Sequence, residues 1–196
     1  MDITPLVQHF AKFISLDEKE IELLGLLVRH HTIKKKEFLL KEGEICLYDS
    51  FIVKGCVKIF QIDAQGKEHI ISFAIENWWA VDMYSFIGQL PAVYNIQALE
   101  DTDLIQFTRK QYDLRYEIIP QLNKFTRKML ENAYVVHQSR ILQNISLLVE
   151  EKYLKFLEKY PNLESRISQR HIASYLGVSP EFLSRMKKAK ILKKKK

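Results

Sequence analysis

The chain has 196 residues, 47% hydrophobic and 28% charged, which fits one large or two smaller globular domains and excludes a disordered chain. It lacks the run of roughly 18 apolar residues that a membrane span needs, and the opening "MDITPLVQHFAKF" lacks the basic start, apolar run and cleavage site of a signal peptide, so a cytoplasmic protein is expected. The net charge is +6, yet residues 167–196 hold nine Lys or Arg against one acid, Glu181; this net +8 leaves the first 166 residues at −2 and puts the footprint of a polyanion binder at one end.

The first regime, about residues 1–115, opens on a helical stretch, "SLDEKEIELLGLLV", with Ser15 as its N-cap. It then turns strand-like. "SFIVKGCVKIFQID" and "KEHIISFAI" are rich in β-branched and aromatic residues and are separated by the turn "DAQGK". "YNIQALEDTDLIQFTR" supplies more strand after the Pro91 break. Short strands punctuated by Gly and Asp predict a small antiparallel roll or barrel. Cys46 and Cys56 form neither a CxxC pair nor a disulfide framework and read as reduced, packed thiols. Trp78, Trp79, Tyr84, Phe86 and Tyr94 make an aromatic cluster that fits either a core or an apolar ligand pocket. For the pocket, the candidate residues are Trp78, Trp79, Asp82, Tyr84, Tyr94 and Asn95.

From Pro120 to Pro161 there is no internal Gly or Pro. Leu122, Phe125, Met129 and Val136, then Leu142, Ile145 and Val149, recur at helical steps and predict an apolar stripe for a helix–helix interface. One helix is expected to about His137 and a second through "SRILQNISLLVEEKYLKFLEKY", with a turn at Pro161–Asn162.

The last regime contains "QRHIASYLGVSPEFLSRMKK". Ile172, Leu176, Val178, Leu183 and Met186 are its inward apolar positions, and Ala173 is small where two helices would cross. Gly177 sits at the reversal, and Ser179 followed by Pro180 is a strong helix start. This is the connection that DNA-binding helix-turn-helix units use. On the second helix Glu181, Ser184, Arg185 and Lys188 share one face, where Arg185 can fork onto guanine and Glu181 can accept from the cytosine amino group. Gln169, Arg170, Ser179 and Pro180 stand at the helix starts, Gln169, Arg170 and Ser179 being suited to phosphate contacts.

This order of parts resembles the Crp/Fnr superfamily of bacterial transcription regulators, on "EGEICLYDSFIVKGCVKIF", "QGKEHIISF" and "SQRHIASYLGVSPEFLSR". The stretch "LLVEEKYLKFLEKYPNLESRISQRHIASYLGVSPEFLSR" looks most like members common in Bacteroidetes. The resemblance implies an α+β chain in three parts. These are a cyclic-nucleotide-binding-like β-roll over 1–117, a dimerisation helix and hinge over 118–146, and a helix-turn-helix domain over 147–196. It also puts Glu181 and Arg185 at base-contacting positions, while Pro180 stands where some relatives place an arginine. Two departures are visible. Cyclic-nucleotide-binding members hold the phosphate with a Phe-Gly-Glu-like turn and an Arg-Ser or Arg-Thr pair. Here Trp78 to Asp103 contains no Arg or Lys, Asp82 is the single stand-in for the glutamate, and no cyclic nucleotide cofactor is expected. After "RMKKAKIL" only lysines follow, so the β-hairpin wing of many members is expected to be lacking. The clustered N-terminal cysteines of the iron–sulfur relatives and any metal-ligand spacing are also missing.

The leading expectation is therefore a homodimeric regulator on double-stranded DNA with an inverted-repeat operator and RNA polymerase as a further partner. No P-loop, nucleophile elbow or paired-carboxylate motif points to an enzyme. The alternative is a ligand-sensing roll, for a nucleotide or other small molecule, whose C-terminal helices dock a protein.

Overall fold

Reciprocal capping, tight strand turns and two apolar cores organise the chain, whose computed structural model describes residues 2–193, with side chains through residue 189. The terminal lysines from 194 onward, and with them the expected lack of a wing, lie outside the described residues. No helix among the described residues is long and apolar enough to cross a membrane. Packing divides the chain into two units, residues 2–61 with 71–132, and residues 62–70 with 133–193.

The first unit begins with two helices, α1 (Thr4–Phe10) and α2 (Glu18–Leu26). α2 is capped by Asp17, not by Ser15: the Asp17 carboxylate accepts the Glu20 N–H at 2.8 Å and the Glu20 carboxylate accepts the Asp17 N–H at 2.9 Å. A charged cap of this kind also opposes the positive helix end, which a serine hydroxyl cannot do. Eight strands follow: β1 (Arg29–Ile33), β2 (Phe38–Leu40), β3 (Tyr48–Lys54), β4 (Val57–Ile62), β5 (Glu68–Ala74), β6 (Trp79–Ala80), β7 (Asn95–Ala98) and β8 (Thr102–Thr108). A short helix, α3 (Met83–Gly88), interrupts them between β6 and β7. They form two four-stranded sheets, ordered β1-β8-β3-β6 and β2-β7-β4-β5. The β1–β8, β3–β8, β3–β6, β2–β7 and β4–β7 pairs are antiparallel.

Phe51, Ile52, Val57, Ile96, Leu104 and Phe107 are fully buried in the core of this unit. The antiparallel roll predicted from the strand-like segments is present. The β3–β4 turn needs glycine at Gly55: its φ is +105°, and a Cβ there would lie 2.7 Å from the Thr102 backbone. "YNIQALEDTDLIQFTR" resolves into β7 and β8 and leads directly into α4 (Arg109–Ile118), which the strand reading overlooked. Thr108 caps α4 in a box with Gln111.

α5 (Leu122–Ser146) is one helix of 25 residues. The expected break near His137 is absent, because no Gly or Pro interrupts the segment and side chains bond along it: Gln138 donates to Tyr134 and Gln143 to Ser139, at 2.9 and 2.8 Å. Its apolar positions divide along its length. Leu122, Phe125 and Met129 pack on the roll core, whereas Val136, Leu142 and Ile145 are exposed. The start of α5 belongs to the roll core, and packing divides this helix between the two units at 132/133.

The second unit contains α6 (Val149–Lys159), α7 (Leu163–Arg166), α8 (Gln169–Leu176) and α9 (Pro180–Lys193). An aromatic core joins them: Phe156 lies 5.4 Å from Tyr160 and 5.5 Å from Tyr175, centroid to centroid. The "DAQGK" turn belongs to this unit, its Asp63 carboxylate accepting the N–H groups of Gln65 and Lys67. Ser174 Oγ donates to the Glu68 carbonyl at 2.7 Å and accepts the Ile70 N–H at 3.1 Å.

Candidate nucleic-acid interface

α8 starts at Ser168, whose hydroxyl accepts the His171 N–H, and buries Ile172, Ala173 and Leu176. It ends at Gly177, with φ +73°; the Gly177 N–H reaches the Ser174 carbonyl and the Val178 N–H the Ala173 carbonyl. This closure satisfies carbonyls that the helix end would otherwise leave open, and it favours a residue without Cβ. Val178 is half-buried in the turn. Ser179 Oγ then accepts the Phe182 N–H at 3.2 Å, and Pro180 opens α9. Leu183 and Met186 are buried, so the two helices are fixed to one another by α8 and α9 apolar residues and by the glycine turn.

Burial of Leu183 decides which side of α9 faces outward. Glu181, Ser184, Arg185 and Lys188 recur at steps of three, one and three residues, lie on one face and are all exposed. Ser179 and Pro180, at the start of α9, and Gln169 and Arg170, in the first turn of α8, are exposed as well. The carboxyl of Glu181 is held below the ordinary glutamate range by its own backbone amide, the Ser179 hydroxyl and the charge of Arg185. At neutral pH it is an acceptor only, as readout of a cytosine amino group requires.

Lys187 is basic but belongs to a different constellation. Its ammonium pairs with Glu164, which also accepts from the Tyr153 hydroxyl at 2.6 Å. Burial would push the Glu164 carboxyl up, but the hydrogen bonds from Lys187 and Tyr153 outweigh it and hold the group charged. This network ties α9 to α6 and α7. Charge counting along the sequence cannot separate Lys187 from Lys188; its place beside the buried Met186 is the only sequence signal of its inward role.

Of the six roll residues considered for a ligand, Asp82, Asn95, Trp78 and Trp79 have hydrogen-bond or packing partners within the roll. Asp82 is 1% exposed, and both its oxygens are occupied: Oδ1 accepts the Ser85 N–H at 3.2 Å, capping α3, and Oδ2 the Val93 N–H at 2.9 Å. Asn95 braces a neighbouring loop by accepting the Glu42 N–H at 3.1 Å. Trp79 packs 5.2 Å from Phe51 and 6.5 Å from Phe10 in the core, with Trp78 against the same cluster. Tyr84 is exposed and Tyr94 half-buried. None of the six lines the two cavities described, of about 390 and 140 Å³.

The family of the cyclic nucleotide-binding domain matches residues 30–113. The transcriptional activator protein anr of Pseudomonas aeruginosa is 25% identical over 190 residues, covering 88% of this chain and 75% of the relative. The fumarate and nitrate reduction regulatory protein of Vibrio cholerae is 28% identical over 191 residues, covering 88% and 73%. Among solved structures, FixK2 from Bradyrhizobium japonicum superposes with a TM-score of 0.69 at 19% identity, covering 81% of each chain. Between Trp78 and Asp103 the sequence carries no Lys or Arg, and each oxygen of Asp82 accepts a backbone N–H.

Proposed function

We propose that the chain is a DNA-binding transcription regulator of the Crp/Fnr type, acting as a homodimer that reads an inverted-repeat operator without cyclic AMP, a reading supported by the matched cyclic nucleotide-binding domain and the similar regulators. The observation that carries this reading is the outward face of α9, where Glu181, Ser184, Arg185 and Lys188 stand together behind a rigid helix-turn-helix. Arg185 and Glu181 supply base readout, with Ser184 and Lys188 beside them. Gln169, Arg170 and the Ser179–Pro180 start hold the backbone. The exposed apolar face of α5 is the surface on which a second copy would lie, setting two α9 helices about 34 Å apart, one turn of B-DNA. The protein acts in the cytoplasm by binding, not catalysis, with RNA polymerase as the partner expected of such a regulator.

Gel-shift titrations against a selected operator and random duplex test this. Arg185→Ala should cost the operator complex roughly 1–3 kcal/mol while leaving random-duplex affinity within a few-fold. Unchanged operator discrimination in that variant would remove α9 as the reading helix.

A further inference from the structure

The C-terminal half of α5, α6 and the end of α8 line a groove of about 390 Å³, to which no α9 residue contributes and which is within the size range of small-molecule sites. Apolar side chains, the exposed Val135 and Val136 among them, line one part of it. The rest carries Arg140, Lys152, Lys155 and Lys159 against a single acid, Glu158, which Lys155 already engages at 2.8 Å. The Arg140 guanidinium lies over the Tyr175 ring at 4.4 Å, which orients its fork. Burial, and then the like charge of Arg140, pulls Lys159 down to about 8. Two cations on neighbouring helices thus raise one another's energy, and an anion between them would reverse the sign of that interaction. A phosphate monoester carries close to two negative charges at neutral pH and matches the pair.

We propose that this groove binds a small phosphate monoester with a planar ring, its phosphate held by Arg140 and Lys159 and its ring laid against Val135 and Val136. Tyr175 and Leu176, which also line the groove, immediately precede Gly177, the turn from which α9 departs. A ligand here therefore touches the support of the reading helix and acts as an effector outside the roll. The site itself does not depend on the DNA-binding reading.

Calorimetric titration of the full-length chain with AMP, GMP and UMP, with inorganic phosphate and with adenosine is the test. At least one nucleoside monophosphate should bind saturably, inorganic phosphate more weakly, and adenosine not at all. Arg140→Gln and Lys159→Gln should each weaken the nucleotide roughly tenfold or more, and Arg140→Lys by less, since it keeps the charge but loses the fork. Lys124→Gln, remote on α5, should change nothing, and unchanged circular dichroism certifies each variant. Silence from all three nucleotides, equal affinity for inorganic phosphate, or full affinity in both Gln variants would overturn the site. So would a loss of random-duplex affinity in Arg140→Gln and Lys159→Gln without nucleotide binding, since the groove would then be a track for DNA phosphates. Nucleotide binding that survives in a chain unable to bind DNA would leave this site standing and remove the operator reading alone.

Discussion

Trp79 Nε1 donates to His9 Nε2 across 3.3 Å, which assigns the neutral imidazole's proton to Nδ1 inside an aromatic cluster. The His9 ring lies 5.1 Å from Phe51 and 5.4 Å from Phe125, and its Nδ1 is buried without a hydrogen-bond partner. Burial, with a smaller contribution from the charge of Lys12, lowers the group from 6.5 to about 4. The native state therefore holds His9 neutral, while the unfolded chain takes up a proton near 6.5. Between those values the unfolded state binds more protons, so stability falls as pH drops through this window and is unaffected above about pH 7. The full loss is about 3 kcal/mol. His9→Gln keeps an acceptor for Trp79 and removes the titration. Urea midpoints of the two proteins should converge as pH falls from 7.5 to 4.5, and a constant gap between them would refute the assignment.

Asp82 marks where a ribose-binding carboxylate was conceivable from sequence, and its bonds give it another role. Asp82→Ala leaves two backbone N–H groups, of Ser85 and Val93, without acceptors and should cost about 2–4 kcal/mol, read as a lowered melting temperature. The complementary measurement is ligand linkage. Cyclic AMP at about 1 mM should leave the melting temperature of the unaltered chain unchanged, because binding to the native state alone must raise it. A rise of several degrees would mean that a cation from another part of the roll reaches the phosphate.

The reading of α8 and α9 from sequence succeeded because several local signals agree there: Gly177 at positive φ, a Ser179–Pro180 start and inward Ile172, Leu176, Leu183 and Met186. The roll strands were legible for a similar reason, since β-branched runs met clear turns such as "DAQGK". Other features were local but passed over, as with "TRKQ", the Thr108–Gln111 box that opens α4. The tertiary features were not legible. Nothing in the spacing of Trp78 and Trp79 distinguishes a pocket wall from a core wedge, since both require buried aromatics. The groove of Arg140 and Lys159 arises from residues nineteen apart on two helices, and the break between those helices fell ten residues later than expected. A helix without Gly or Pro gives no local sign of where tertiary packing will end it.

Leu130, Tyr134, Ile141 and Ile145 follow one another at steps of four, seven and four along α5 and form one face. They are 55%, 65%, 61% and 80% exposed, too apolar a row for a helix meant to face water alone. The stripe read from sequence ran from Leu122 to Val149, but of its members only Ile145 lies on this face. Leu130→Glu with Ile141→Glu should therefore abolish a homodimer without weakening the single chain, since neither side chain is buried within it. Sedimentation at about 10 µM should show the mass fall from twice 23.2 kDa to 23.2 kDa, with the melting transition of the monomer cooperative. Operator affinity should fall by far more than random-duplex affinity, because two half-sites can then no longer be held together. Leu142→Glu is the control: equally exposed but about a quarter of a turn around the helix, it should leave the dimer intact. If the double variant sediments as the unaltered protein does, α5 does not carry the dimer, and the spacing of the two reading helices must be set by another surface.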